Sequence, residues 1–128
     1  MAKTKVQYEF PMHCQSEILH EYMASAEGLS EWFADDVIEK GDDFFFSWNG
    51  GPGEKATLIR YKPESFVRYR WEEDEGSKNY FEMTIVIDDI TDDLALIVTD
   101  FCEPGDEVEN QLYWENLIEN LRLKLGAT

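Results

Sequence analysis

Residues 107–125 read EVENQLYWENLIENLRLKL. At about 100° per residue, Trp114, Leu117, Ile118, Leu121 and Leu125 fall in one broad stripe, while Glu109, Glu115, Glu119 and Arg122 lie mostly opposite. The pattern predicts a core-facing amphipathic helix, roughly 28 Å long at about 1.5 Å per residue. Pro104-Gly105 marks a break before it, Asp106 can cap its start, and Gly126 can stop it. A helix with so wide an apolar face needs a large apolar surface to lie against.

Working back from the helix, the chain between Gly41 and Cys102 has the texture of strands and tight turns. Phe44, Phe46 and Trp48 alternate with Phe45, Ser47 and Asn49. Val67, Tyr69 and Trp71 alternate with Arg68, Arg70 and Glu72, and Phe81, Met83, Ile85 and Ile87 alternate with Glu82, Thr84 and Val86. Further strands are expected over 54–61 and 94–102. The turns between them are Asn49–Gly53, Lys62–Ser65, Glu73–Asn79 and Asp88–Asp93. Regular short strands joined in this way predict an antiparallel meander.

At the other end, Val6, Tyr8, Phe10 and Met12 alternate with polar residues and Pro11, which suits a half-buried strand lying at an edge. Ser16 reads as a helix cap, Ile18, Leu19, Tyr22 and Met23 share a face, and Gly28 reads as the break. Ser30–Phe33 predicts another short helical turn, anchored by Trp32 and Phe33. The expected fold is α+β: a curved antiparallel sheet of about six strands around the long C-terminal helix, with two short helices after the first strand. A chain of 128 residues without a linker suits one domain, 1–128.

The net charge of −17 repels phosphate backbones and anionic membrane surfaces, and no basic stripe offsets it, so nucleic-acid binding is not expected. The charge serves solubility or draws a basic protein partner. Cys14 and Cys102 are too few for a disulfide framework and read as reduced thiols. The N-terminal stretch lacks the apolar run of a signal peptide, and no segment approaches the roughly 18 apolar residues of a membrane span. A cytoplasmic location is expected.

Five pieces in order carry a family resemblance: Ser16-Glu17-Ile18-Leu19, Gly28-Leu29-Ser30-Glu31-Trp32-Phe33, Gly41 to Trp48, Pro63 to Trp71, and Trp114-Glu115-Asn116-Leu117 with Leu121. Together they resemble the helix-grip fold of the START-like (SRPBCC) superfamily, in its bacterial branch related to the activator of heat-shock-chaperone ATPase. The resemblance covers essentially the whole chain. It implies an apolar ligand or lipid held between sheet and helix, or a co-chaperone-like regulatory module; some relatives are cyclases or hydratases.

Other constellations are weaker. Asn49–Gly53 lacks the Gly-Lys-Ser/Thr ending of a phosphate loop and reads as a hairpin turn. His13, Cys14 and His20 match no compact zinc spacing, and Asp88, Asp89, Asp92 and Asp93 lack the alternation and glycine of a calcium loop. No metal or cofactor is expected. The candidate ligand cavity is Trp32, Phe46, Trp48, Tyr69, Trp71, Phe81, Met83, Ile85, Trp114, Ile118 and Leu121. Its polar groups would be Tyr69 and the indoles, and only Tyr69 could donate a proton, so a non-enzymatic binding role is expected. The alternative is that the same large side chains fill the space. A pocket of several hundred cubic ångströms would favour the ligand, and a filled interior the protein partner.

Overall fold

The computed structural model describes residues 2–126. The expected domain 1–128 also takes in Met1, Ala127 and Thr128, which lie outside the described residues. The elements run β1 (Thr4–Met12), α1 (Ser16–Ala24), α2 (Ala26–Trp32), β2 (Asp36–Lys40), β3 (Asp43–Ser47), β4 (Glu54–Lys62), β5 (Phe66–Trp71), β6 (Phe81–Ile87), β7 (Leu94–Cys102) and α3 (Glu107–Leu125).

All strands pair antiparallel in one sheet of order β1-β7-β6-β5-β4-β3-β2. The sheet is thus a meander from β2 to β7, closed by β1 returning beside β7. Pro11 sits on this edge strand, where its missing N–H leaves no ladder bond unmade. In β4 the register shifts between Leu58 and Arg60. An extra residue there bends the strand and adds to the curvature. Period-two alternation places Phe44, Phe46, Val67, Tyr69, Phe81, Met83, Leu96 and Val98 on the concave side, all buried. Trp114, Leu117, Ile118 and Leu121 of α3 are buried with them in one continuous core. Each such side chain contributes about 1.5–3 kcal/mol on burial.

The sheet has seven strands, one more than expected. The extra strand is β2, which pairs Val37 with Phe46 across the Gly41 turn. It is short, and of its five residues only Val37 is buried, so it carries little alternation to read. Gln15, not Ser16, holds the cap position of α1, and it makes no side-chain cap bond. Asp106 also caps α3 without a side-chain bond. Gly126 ends α3 at φ 69°, the left-handed conformation expected of a glycine stop. Residues 73–79 were expected to be a polar loop, but 72–74 form a short 3-10 turn that buries Asp74. Asp74 is held there by Lys3 Nζ at 3.5 Å and Asn79 Nδ2 at 3.3 Å.

The break between α1 and α2 falls at Ser25, whose Oγ accepts the Gly28 N–H at 2.9 Å. Gly28 lies inside α2 instead of ending α1. A methyl group there would run into the Glu21 carbonyl oxygen and Tyr22 Cα of α1. The glycine therefore sets how closely the two helices meet. For Gly28→Ala we expect an overpacking loss of about 1–3 kcal/mol that outweighs the helix-propensity gain of about 1 kcal/mol. Urea unfolding should show a lower midpoint; a midpoint at or above wild type would refute the close approach.

Candidate functional site

Phe33 follows directly on α2 as its C-cap residue and is 2% exposed. The chain turns there, and the ring is directed into the grip, where six aromatic side chains surround it. Ring centroids lie 5.5 Å away for Trp32, 5.2 Å for Phe46, 6.3 Å for Trp48, 6.4 Å for Trp71, 5.6 Å for Phe81 and 6.0 Å for Trp114. Tyr69 stacks on Phe81 at 5.1 Å and meets Phe44 edge-on at 5.3 Å. All eleven expected cavity residues thus belong to or border one core. Met83, Ile85, Ile118 and Leu121 are buried in it, while Trp48 and Trp71 are half-buried at its margin.

Tyr69 and the indoles of Trp32, Trp48 and Trp114 each have a hydrogen-bond partner. Tyr69 donates its hydroxyl to the Met23 carbonyl at 2.7 Å, tying β5 to the end of α1. Burial pushes the Tyr69 phenol well above its usual value, with Glu39 adding to the shift. Trp32 Nε1 donates to the Tyr22 carbonyl at 2.8 Å, and Trp48 Nε1 to the Phe33 carbonyl at 3.0 Å. The Tyr69 bond holds α1 to the sheet, the Trp48 bond holds the end of α2 beside β3, and the Trp32 bond holds α2 to α1.

A third indole, that of Trp114, leads to a polar cluster that the sequence does not announce. Its Nε1 donates to Asp100 Oδ2 at 2.8 Å. Asn110 Nδ2 donates to the same oxygen at 3.1 Å, and the Phe101 backbone N–H donates to Asp100 Oδ1 at 2.8 Å. Tyr8 of β1 completes the chain, donating its hydroxyl to Asn110 Oδ1 at 2.8 Å. Burial lifts the Asp100 carboxyl above the ordinary 3.8, against the pull of the Trp114 and Asn110 hydrogen bonds. Burial also pushes the Tyr8 phenol up to about 12, helped by Cys102, Asp100 and Glu107. One signal was available: Asp100 is the acid in an otherwise largely apolar strand, and Asn110 and Trp114 are one helical turn apart.

Two surface clefts border the aromatic set. One of about 270 Å³ runs between α2 and α3 beside Trp32, Phe33 and Trp48. Another of about 320 Å³ borders Trp71. An open groove of about 680 Å³ lies between β1 and α3 and is lined mainly by polar side chains, including Gln7, Glu115 and Arg122. Among the described residues, no three His, Cys, Asp or Glu side chains converge as a metal site. Both cysteines are unpaired, Cys102 buried and Cys14 half-buried. No helix among the described residues is long and apolar enough to cross a membrane.

These features match a known family. A family profile for the START-like superfamily domain matches residues 1–127, and the chain belongs to that superfamily. The solution structure of BfR322 from Bacteroides fragilis is 28% identical, with a TM-score of 0.71 over 97% of this chain and 92% of that one. The Aha1 dimer from Colwellia psychrerythraea is 14% identical, with a TM-score of 0.76 over 95% of this chain and 96% of that one. CalU16 from Micromonospora echinospora is 13% identical, with a TM-score of 0.67 over 93% and 72%. At 14% and 13% identity, these last two likenesses are of fold alone. The comparison with curated proteins gave no match.

The Asp100 cluster makes a pH-dependent prediction. A carboxyl with a raised folded value contributes stability that is fully present below the unfolded 3.8 and is lost as pH rises through the folded value. Asp100→Asn removes that dependence. It also sets an amide N–H₂ against either the Trp114 and Asn110 donors or the Phe101 N–H, at a cost of about 1–3 kcal/mol. Wild type should be the more stable protein at neutral pH, and its lead should widen toward pH 4. A lead that is constant or shrinks on acidification, measured by urea unfolding, would refute this account.

Proposed function

We propose that this START-like domain is a protein-binding module that acts through its acidic surface and takes a basic partner. The carrying observation is the filled grip: Phe33 and the rings around it occupy the space where an apolar ligand would lie. The surface supports the same reading. A net charge of −17 attracts basic chains and steers their approach. We also infer that the domain is not an enzyme, because the hydroxyl of Tyr69 is held by the Met23 carbonyl in the buried core.

Affinity isolation at two salt concentrations tests the partner. Screening shortens from about 10 Å at 0.1 M to about 3 Å at 1 M, so a charge-steered basic partner is retained at the first and lost at the second. The reading fails if the wild-type domain retains no partner at either.

A second reading keeps the apolar ligand, and the cleft bordering Phe33 favours it. Withdrawal of that one side chain would join the cleft to the core. Phe33→Ala should cost about 3–5 kcal/mol through the cavity it leaves. In fluorescence titration with oleate, wild type should show no quenching of its tryptophans and the variant should show saturable quenching. Saturable quenching in wild type would instead support the ligand and overturn the closed-core reading.

A further inference from the structure

Strand β1 meets the β6–β7 hairpin in a cleft of about 400 Å³. It is lined by Pro11, Val86 and Ala95, whose side chains face outward, while Met12 and Leu94, also at its border, turn their side chains into the core. Register explains the trough: Pro11 pairs with Ala95, which pairs with Val86, so these three side chains lie side by side on the outer face. Its rim carries Glu9, Asp88 and Asp93. Among the described residues, none of these three carboxylates is in an ion pair.

The hairpin beside the cleft is ordered by its own bonds. Asp88 Oδ1 accepts the Ile90 N–H at 2.8 Å and the Thr91 N–H at 2.9 Å, and the Asp88 N–H donates to the Asp93 carbonyl at 2.9 Å. These bonds hold the Asp88 carboxyl below its ordinary value and keep it charged. Ile90, in this hairpin turn, is 92% exposed. An apolar trough rimmed by unpaired carboxylates complements a side chain with an aliphatic stem and a cationic head, as lysine and arginine have.

The geometry points to this cleft as the docking site for a basic segment of the partner protein, which lays a lysine or arginine stem along Pro11, Val86 and Ala95 and sets its charge between Glu9, Asp88 and Asp93. This rests on the protein-binding reading above and places that function at one site. A segment with further apolar residues would also cover Ile90.

The test is an NMR titration of the ¹⁵N-labelled domain at low salt with a capped hexalysine peptide. The control is the hexapeptide of 2,4-diaminobutyrate, which carries the same charge on a shorter stem. Hexalysine should shift the amides of Val86, Thr91 and Ala95, and bind more tightly than the control. Glu9→Gln with Asp93→Asn should weaken binding about tenfold, while the equal charge change Glu115→Gln with Glu119→Gln on α3 should have little effect. Ala95→Arg, which fills the trough from within, should abolish the localised shifts with the fold intact by circular dichroism. Shifts scattered over the acidic surface, equal binding of the two peptides, or equal losses in both charge variants would refute the cleft and leave the protein-binding reading standing. No binding of hexalysine at low salt would count against both.

Discussion

The packing of Phe33 against the surrounding aromatic side chains is the constraint on which the rest of this domain depends. The ring lies among side chains from β3, β5, β6 and α3, with its neighbour Trp32 closing the end of α2. Aromatic pairs at these separations contribute about 0.5–1.5 kcal/mol each beyond their burial. The Phe33 carbonyl also accepts the Trp48 indole, so the backbone of this residue is fixed along with its ring. Its side chain has little freedom to move unless α2 moves with it.

The polar bonds of the interior act with this packing. Tyr69 holds the end of α1, Trp32 holds α2 against α1, and Asp100 holds α3 through Trp114 and Asn110. Each satisfies a donor or acceptor that would be costly to bury alone. The Tyr69 and Asp100 bonds fix α1 and α3 on the sheet, and the Trp32 bond fixes α2 on α1. The START-like fold hosts many functions, and the site decides among them. In this structure the aromatic side chains around Phe33 pack against one another within the grip.

Much of this was legible in the chain. The stripe of α3, the alternation of β5 and β6, and the glycine stop at Gly126 are local patterns with a fixed period, and the structure follows them. β2 was missed because a strand with one buried residue has no period to read. Gly28 was read as a helix break because glycine lowers helix propensity, whereas its role is the close approach of two helices. The break belongs to Ser25, whose cap bond depends on where the chain goes next. The aromatic residues expected around the grip are gathered there, but Phe33, noted only as an anchor of α2, is the one at their centre.

The sequence by itself determined the fold class, the apolar faces and the strong negative charge, because periodicity and composition are properties of the chain alone. It named the side chains that meet in the grip without determining whether they enclose a space or fill it. That depends on separations between residues far apart in the chain, such as Phe33 and Trp114 at 6.0 Å, and on hydrogen bonds such as Tyr69 to Met23. Only the tertiary structure fixes those, because they are set by how elements far apart in the chain pack against one another. The same holds for the cleft beside Asp88, where Pro11 and Val86 become neighbours only through the register of β7 between them.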